Sequence, residues 1–411
     1  MYVARRREDR QRRSGQTLVL FALGLVAFIG MVGLVIDGGN AFAQQRRTQN
    51  GTDAAAEAGA TELARRAIGL PGSDAQWDAR VNQAITDSST YNELTVNGTP
   101  QYTDFSGTAL GPVNSGSIPA NASGVAVNGD RNFRTFIAGA IGLSNFTASA
   151  SATARTGFVK TISANGLIPL TFPVMLEQCQ SGGGSNRLIL PPYGATASHA
   201  WPYGPNNMVA LPFCSNGPGN IGWIDWTPPA GGASEVSASI LTPNSPAITV
   251  SHWYNISQTG AITSLDAAMN TWEGRDIYLP IFHVEVATPL TNPPVPSLIG
   301  TCNATPGGSQ DLLSDCPAAN VGGNGSNQWY YLDAFASFHL VHSYIANNHQ
   351  VECNDPSLAS TATYNAAAVT GGSLLNNCLI GYFNQAVVAG GEVSLTAPSS
   401  EFHMQGVQLI K

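Results

Sequence analysis

Charge is scarce in this chain. Asp, Glu, Lys and Arg make up 11% of its 411 residues, under half the share usual in a soluble domain. Cations are scarcer still beyond residue 160, where only Arg187, Arg275 and Lys411 are basic. A surface so poor in positive charge cannot neutralise a phosphate backbone, which excludes nucleic acid as a partner. None of the six cysteines stands in a close C-x-x-C pair, so a zinc site is not expected. No Gly-x-Ser-x-Gly elbow, His-Glu-x-x-His or P-loop is present. Gly217 to Gly222 is glycine-rich, but Trp223 follows where a phosphate-binding helix would have to start, and a tight turn is predicted instead. No catalytic residue, cofactor or metal is expected, and the chain does not read as an enzyme.

The most informative feature present is an uncharged run of twenty residues from Thr17 to Ile36. A helix rises about 1.5 Å per residue, so the run spans roughly the 30 Å hydrocarbon layer of a bilayer. Arg5, Arg6, Arg7, Arg10, Arg12 and Arg13 precede it. Such a cluster resists translocation and holds the N-terminus in the cytoplasm. Residues 1–16 then form a basic cytoplasmic tail, 17–36 a transmembrane helix, and everything after Ile36 an exported part. The alternative is a cleaved secretory signal, for which Ala41-Phe42-Ala43 supplies a small-x-small pattern. Signal cores are about 7–15 residues, shorter than this run, and a retained anchor is expected.

In an exported domain an even cysteine count favours disulfides. Cys179, Cys214, Cys302, Cys316, Cys353 and Cys378 all lie in the later part of the chain. Sequence neighbours suggest Cys179–Cys214, Cys302–Cys316 and Cys353–Cys378, although six cysteines allow about 15 connectivities.

Beyond the apolar run the helical pattern continues from Asn40 to Arg66 without proline. Gly51, Ala55, Gly59 and Leu63 recur every four residues. That stripe reads either as an alanine-rich helix of good propensity or as a packing face for a neighbouring helix. Gly69, Pro71 and Gly72 end the helix. Asp74 to Asp87 reads as a second helix with Trp77, Val81 and Ile85 on one face. Gly124–Asn128 and Thr147–Val159 read as strands, with an apolar helical turn or two over Thr135–Leu143. Asn92–Ser123 and Asn292–Ser326 read as long surface loops. From about residue 161 the texture is β-rich and holds six of the seven tryptophans. These rings are either core and rim of a β fold or platforms for sugars. His339 and His342 lie in a strand-like stretch and are expected on opposite faces.

Two N-terminal stretches together resemble a known family. Arg13-Ser14-Gly15-Gln16-Thr17 opens the apolar helix, and Asp37-Gly38-Gly39-Asn40 closes it. Gln49-Asn50-Gly51-Thr52-Asp53-Ala54-Ala55-Ala56-Glu57-Ala58-Gly59-Ala60 follows. This order resembles the Flp-pilus-assembly TadE/G-like family of the bacterial tight-adherence (Tad) system. The likeness extends through the strand pattern to Arg155, about 150 residues in all, and more loosely to Trp272–Phe282 and Phe335–Tyr344. It implies a pilin-like α+β fold: a long helix and a small α+β unit over 37–160, then a β-rich exported domain over 161–411. It also implies a structural role beside other Tad/Flp assembly proteins at the cytoplasmic membrane. An anchored adhesin with a glycan or other surface ligand is the alternative.

The chain departs from the family's pattern at two places. Pilin-like relatives are cut after a glycine, here Gly15 before Gln16, and carry glutamate five residues on; this chain has Leu20. Cleavage there is expected to be inefficient at most. Longer relatives carry a metal-binding Asp-x-Ser-x-Ser; Asp87-Ser88-Ser89-Thr90-Tyr91 begins one and departs at its last position.

Overall fold

The computed structural model of the chain describes residues 3–173, 176–177, 187–188, 203–212, 222–224, 232–250, 253–259, 262–283, 313–314, 328–358, 376–396 and 404–410. It is a mixed α+β structure that divides into two compact units. The first comprises Met1–Leu63, Pro71–Arg155 and Leu409–Lys411; the second comprises Ala64–Leu70 and Thr156–Gln408.

Helix α1 (Val3–Ala67) is one unbroken element of 65 residues. Nothing in its sequence interrupts it, because it has no proline and its glycines are isolated or paired within strongly helix-forming surroundings. It ends where Gly69 takes a left-handed backbone (φ 81°), a conformation that costs glycine little. Pro71 then forbids continuation. Helix α2 (Asp74–Tyr91) starts at a capping box: Ser73 accepts from the Gln76 backbone, and the Gln76 side chain accepts from the Ser73 backbone. Its Trp77, Val81 and Ile85 are all buried, as the helical period requires.

Strand β1 (Thr95–Val96), β2 (Gln101–Thr103), β3 (Ala109–Pro112), β4 (Gly124–Arg134) and β5 (Asn145–Val159) follow, the last running past the first unit's end at Arg155. Strands β4 and β5 form an antiparallel hairpin whose register runs from Gly124↔Arg155 to Arg134↔Asn145. Strand β2 lies between β3 and β4, and β1 also pairs with β4. The stretch from Asn92 to Ser123 is therefore not a surface loop. It supplies three strands and buries Tyr102, Val113 and Ile118. Strands of two to four residues are too short to show an alternating pattern.

In the second unit, the strands Leu170–Pro173, Gly222–Ile224, Trp253–Thr259, Arg275–His283 and Gln328–Tyr344 close into a ring. The long last strand makes this closure, pairing at Gln328 to Tyr331 with Trp253–Thr259 and from Tyr331 onward with Arg275–His283. Closure of this kind removes free sheet edges. Leu332, Ala334, Phe335, Ala336, Phe338 and Leu340 of that strand are all buried. They divide between two apolar clusters, which accounts for the nearly unbroken apolar run there. Helix Ala233–Leu241 packs Val236 and Ile240 onto the larger cluster.

Cys353 and Cys378 form a disulfide with Cα atoms 5.8 Å apart. Closing a loop of this length contributes about 3 kcal/mol by limiting the unfolded chain. Cys179, Cys214, Cys302 and Cys316 lie outside the described residues, as do most of Asn292–Ser326 and all but the last two residues of Gly217 to Trp223, where a turn is predicted.

The histidines correct an expectation. His339 and His342 share the outer face of their strand, with side chains 25% and 51% exposed. The cause is an irregularity between Leu340 and His342, where the register against Cys378–Asn384 shifts. An extra residue in one strand reverses the alternation that follows it. His339 meets the Asp276 carboxylate at 2.7 Å and stacks on Tyr382.

Candidate functional site

The motif-bearing half of α1 carries the candidate site. Leu18 to Ile36 expose nearly all their apolar side chains. Among the described residues, α1 is the one helix long and apolar enough to cross a membrane. Gly15 and Gln16 lie within α1, on the tail side of this run.

Asp37, the first charged residue after the run, is buried. Its carboxylate accepts three backbone hydrogen bonds from the tip of the β4–β5 hairpin: Phe136 N at 2.6 Å, Ile137 N at 3.0 Å and Ala138 N at 2.6 Å. These groups open the short helical turn Ala138–Ile141. The hydrogen bond from Ala138 is the largest influence holding the Asp37 carboxyl below its ordinary value, with Phe136 and Ile137 adding to it and burial opposing. One turn earlier Gly33 packs against Ile137: a Cβ there would come within 2.6 Å of the isoleucine side chain. Asn40 donates to the Arg134 carbonyl at 3.1 Å. Asp37 and Asn40, with Gly33 one turn earlier, thus form a clasp between α1 and the hairpin tip.

Further along, Gln45 donates to the Ser149 carbonyl at 2.7 Å and Gln49 to that of Ser151 at 3.4 Å. Gln49 also donates to Asp53 at 2.7 Å. Burial, reinforced by the nearby Asp53 carboxylate, pushes the Glu57 carboxyl upward.

The small-residue stripe packs within the unit itself. Gly51 faces Asn92 and Leu94, and Gly59 faces Ile85 and Val125. Ala55 and Leu63 are buried. The close approach decides what Gly59 tolerates, since an added Cβ would sit 3.0 Å from Ile85 Cγ1 and 3.2 Å from Val125 Cγ1. Gly59→Ala is expected to be near neutral, because removing a helical glycine gains about 1 kcal/mol that this crowding offsets. Gly59→Leu is expected to lower stability by roughly 1–3 kcal/mol through overpacking. Thermal melts of the two variants check this; equal melting temperatures would overturn it.

Sequence reasoning missed two features of the unit. Asp78, next to Trp77 on α2, is buried and accepts from Tyr102 Oη at 2.6 Å, Asn114 N at 2.8 Å and Gly116 N at 2.6 Å. The clasp at Asp37 was also not foreseen, although an acid directly after an apolar span is a signal that could have prompted it. The Asp87–Tyr91 pentapeptide lies in the last turns of α2, and its backbone is helical. Of the tryptophans beyond residue 161, Trp223 is fully buried and Trp272 donates to the Ile240 carbonyl at 2.8 Å.

No curated protein and no solved structure matches the chain. A family model does match the helix just described, over a stretch narrower than the 150-residue resemblance. It covers the span, the clasp and the stripe as far as Gly59, but neither Leu63 nor the hairpin: residues 15–62 match the Tad model of Flp pilus-assembly TadE/G-like proteins.

Proposed function

We propose that this chain is a membrane-anchored, TadG-like structural component of Flp/Tad pilus assembly. Its N-terminus lies in the cytoplasm and the chain beyond Ile36 is exported. The observation that carries the reading is the division of labour along α1. The same helix that matches the Tad domain exposes an uncharged apolar segment long enough for a bilayer and then fastens a folded unit directly onto its end. The arginine tail sets the orientation. Contacts with other assembly proteins then fall to the exported surfaces, since the small-residue stripe is occupied within the unit.

A C-terminal alkaline phosphatase fusion is expected to be active and a C-terminal fluorescent protein fusion dark; the reverse pattern overturns the orientation. Deleting the gene is expected to abolish Flp pili, with complementation restoring them. Cells that keep their pili but lose adherence would favour the anchored adhesin.

Processing follows from Leu20. A pilin-like precursor presents a carboxylate five residues beyond the cut, and this chain presents an apolar side chain there. Intact-mass measurement is expected to find most molecules uncut after Gly15. A majority beginning at Gln16, together with the protein along sheared filaments, would overturn that expectation.

A further inference from the structure

The tip of the β4–β5 hairpin has the wrong composition for a loop in water. From Thr135 to Phe146 it contains no charged residue. Phe136 is 68% exposed, Leu143 52% and Ile137 36%, and Phe146 is also exposed. Surface loops usually present polar side chains, and clustered exposed apolar groups mark an interaction surface. The position of the tip says what the partner is. Ile137 packs on Gly33, which lies inside the apolar run, one turn before its end. Asp37 fixes that placement through three backbone hydrogen bonds. Wherever the end of the run meets the bilayer surface, the tip is carried to the same depth. Arg134, at the base of the tip, is exposed, in reach of anionic headgroups as basic residues at an interface commonly are.

We infer that the β4–β5 tip is a membrane wedge: Phe136, Ile137 and Leu143 insert into the outer-leaflet interface beside α1. The inference rests on the spanning reading of residues 17–36. Aromatic and aliphatic side chains at this depth gain from leaving water while nearby backbone groups remain within reach of it. Its consequence is mechanical. A single helix rotates and tilts freely in a bilayer, whereas a helix and a wedge fixed to each other by Asp37 hold the first unit at one orientation to the surface.

The test uses the full chain in nanodiscs of phosphatidylcholine and phosphatidylglycerol. An environment-sensitive fluorescent amino acid replaces, one at a time, Phe28, Phe136, Leu143 and Tyr91. Lipids carry a nitroxide at acyl carbon 5 or carbon 12. Tyr91 is an aqueous control: it is 90% exposed, and its neighbour Asn92 packs at Gly51, about 20 Å along the helix from Asp37. Position 28 is expected to be quenched most by carbon 12. Positions 136 and 143 are expected to be quenched at least twofold by carbon 5 and less by carbon 12, with position 91 unaffected. Positions 136 and 143 behaving like 91 while 28 is quenched would overturn the wedge and leave the anchor standing. An unquenched position 28 would overturn the spanning reading, and the wedge with it.

Discussion

Asp78→Ala is expected to destabilise the first unit by roughly 3–5 kcal/mol, because it removes a buried carboxylate on which three hydrogen bonds converge. The Asp78 carboxylate is 1% exposed and gathers the Tyr102 hydroxyl with the backbone N–H groups of Asn114 and Gly116. It ties α2 to the stretch between β2 and β4, which has little regular structure to hold it. Removing the carboxylate takes away the acceptor of the Asn114 and Gly116 amides and one hydrogen bond of the Tyr102 hydroxyl, and a donor that stays buried without an acceptor costs about 1–3 kcal/mol. Two further variants separate the hydrogen bonds from the volume lost. Asp78→Asn keeps the shape but turns one acceptor into a donor facing N–H groups, so it is expected to lose most of the same stability. Tyr102→Phe removes a single donor and is expected to cost only about 1 kcal/mol. Hydrogen exchange resolved by peptide is the measurement. Amides of α2 and of residues 99–118 that open with the whole unit should exchange a hundredfold or more faster in Asp78→Ala. A change under fivefold, or Tyr102→Phe matching Asp78→Ala, would show that the cluster does not hold the unit together.

That cluster also shows where sequence reasoning stops. The period of α2 is legible because Trp77, Val81 and Ile85 recur within one element. Asp78 has no such signal: its partners lie 24, 36 and 38 residues away, one in a strand of three residues and two in the turn after β3. The same distinction runs through the chain. Helix α1, its stop at Gly69, the strand pattern of β4 and β5 and the helical turn between them all follow from local pattern and propensity. Strand β4 continues six residues past its legible part, to Arg134, because pairing with β5 carries it there. The four-residue spacing of Gly51, Ala55, Gly59 and Leu63 is legible either as good helix propensity or as a packing face, and it is silent on what Gly51 and Gly59 meet, namely Asn92 and Leu94, and Ile85 and Val125. The shared face of His339 and His342 depends on one extra residue in a strand. The ring of the second unit depends on which strands meet, a non-local matter that alternation does not encode.

Asp37→Ala is expected to release the hairpin tip while leaving the core of the first unit folded. Charge-assisted hydrogen bonds are stronger than neutral ones, and three of them end on this carboxylate at the tip's first amides. Protection of the Phe136, Ile137 and Ala138 amides is therefore expected to fall on the order of ten- to a hundredfold. Asp37→Asn, which keeps one oxygen acceptor, should fall between the variant and the native chain. The same contact predicts a pH dependence. The folded Asp37 carboxyl holds its proton less tightly than an unfolded one, chiefly because Ala138 donates to the ionised form. Over the interval between its folded value and the unfolded value of about 3.9, the released state binds more protons, so the clasp strengthens as pH rises. Its contribution is complete above that unfolded value and is lost as pH falls through the lower, folded one. Global unfolding would blur this, since burial pushes the Glu57 carboxyl the opposite way and makes its contribution fall with rising pH. The exchange of residues 136–138, corrected for the intrinsic pH dependence of amides, isolates Asp37. Native protection should hold steady from neutral pH down to about 4 and decline below it, while Asp37→Ala shows low protection throughout. A native profile that stays flat to the acid limit, or an alanine variant as protected as the native chain, would mean that Gly33 and Ile137 hold the tip without the carboxylate.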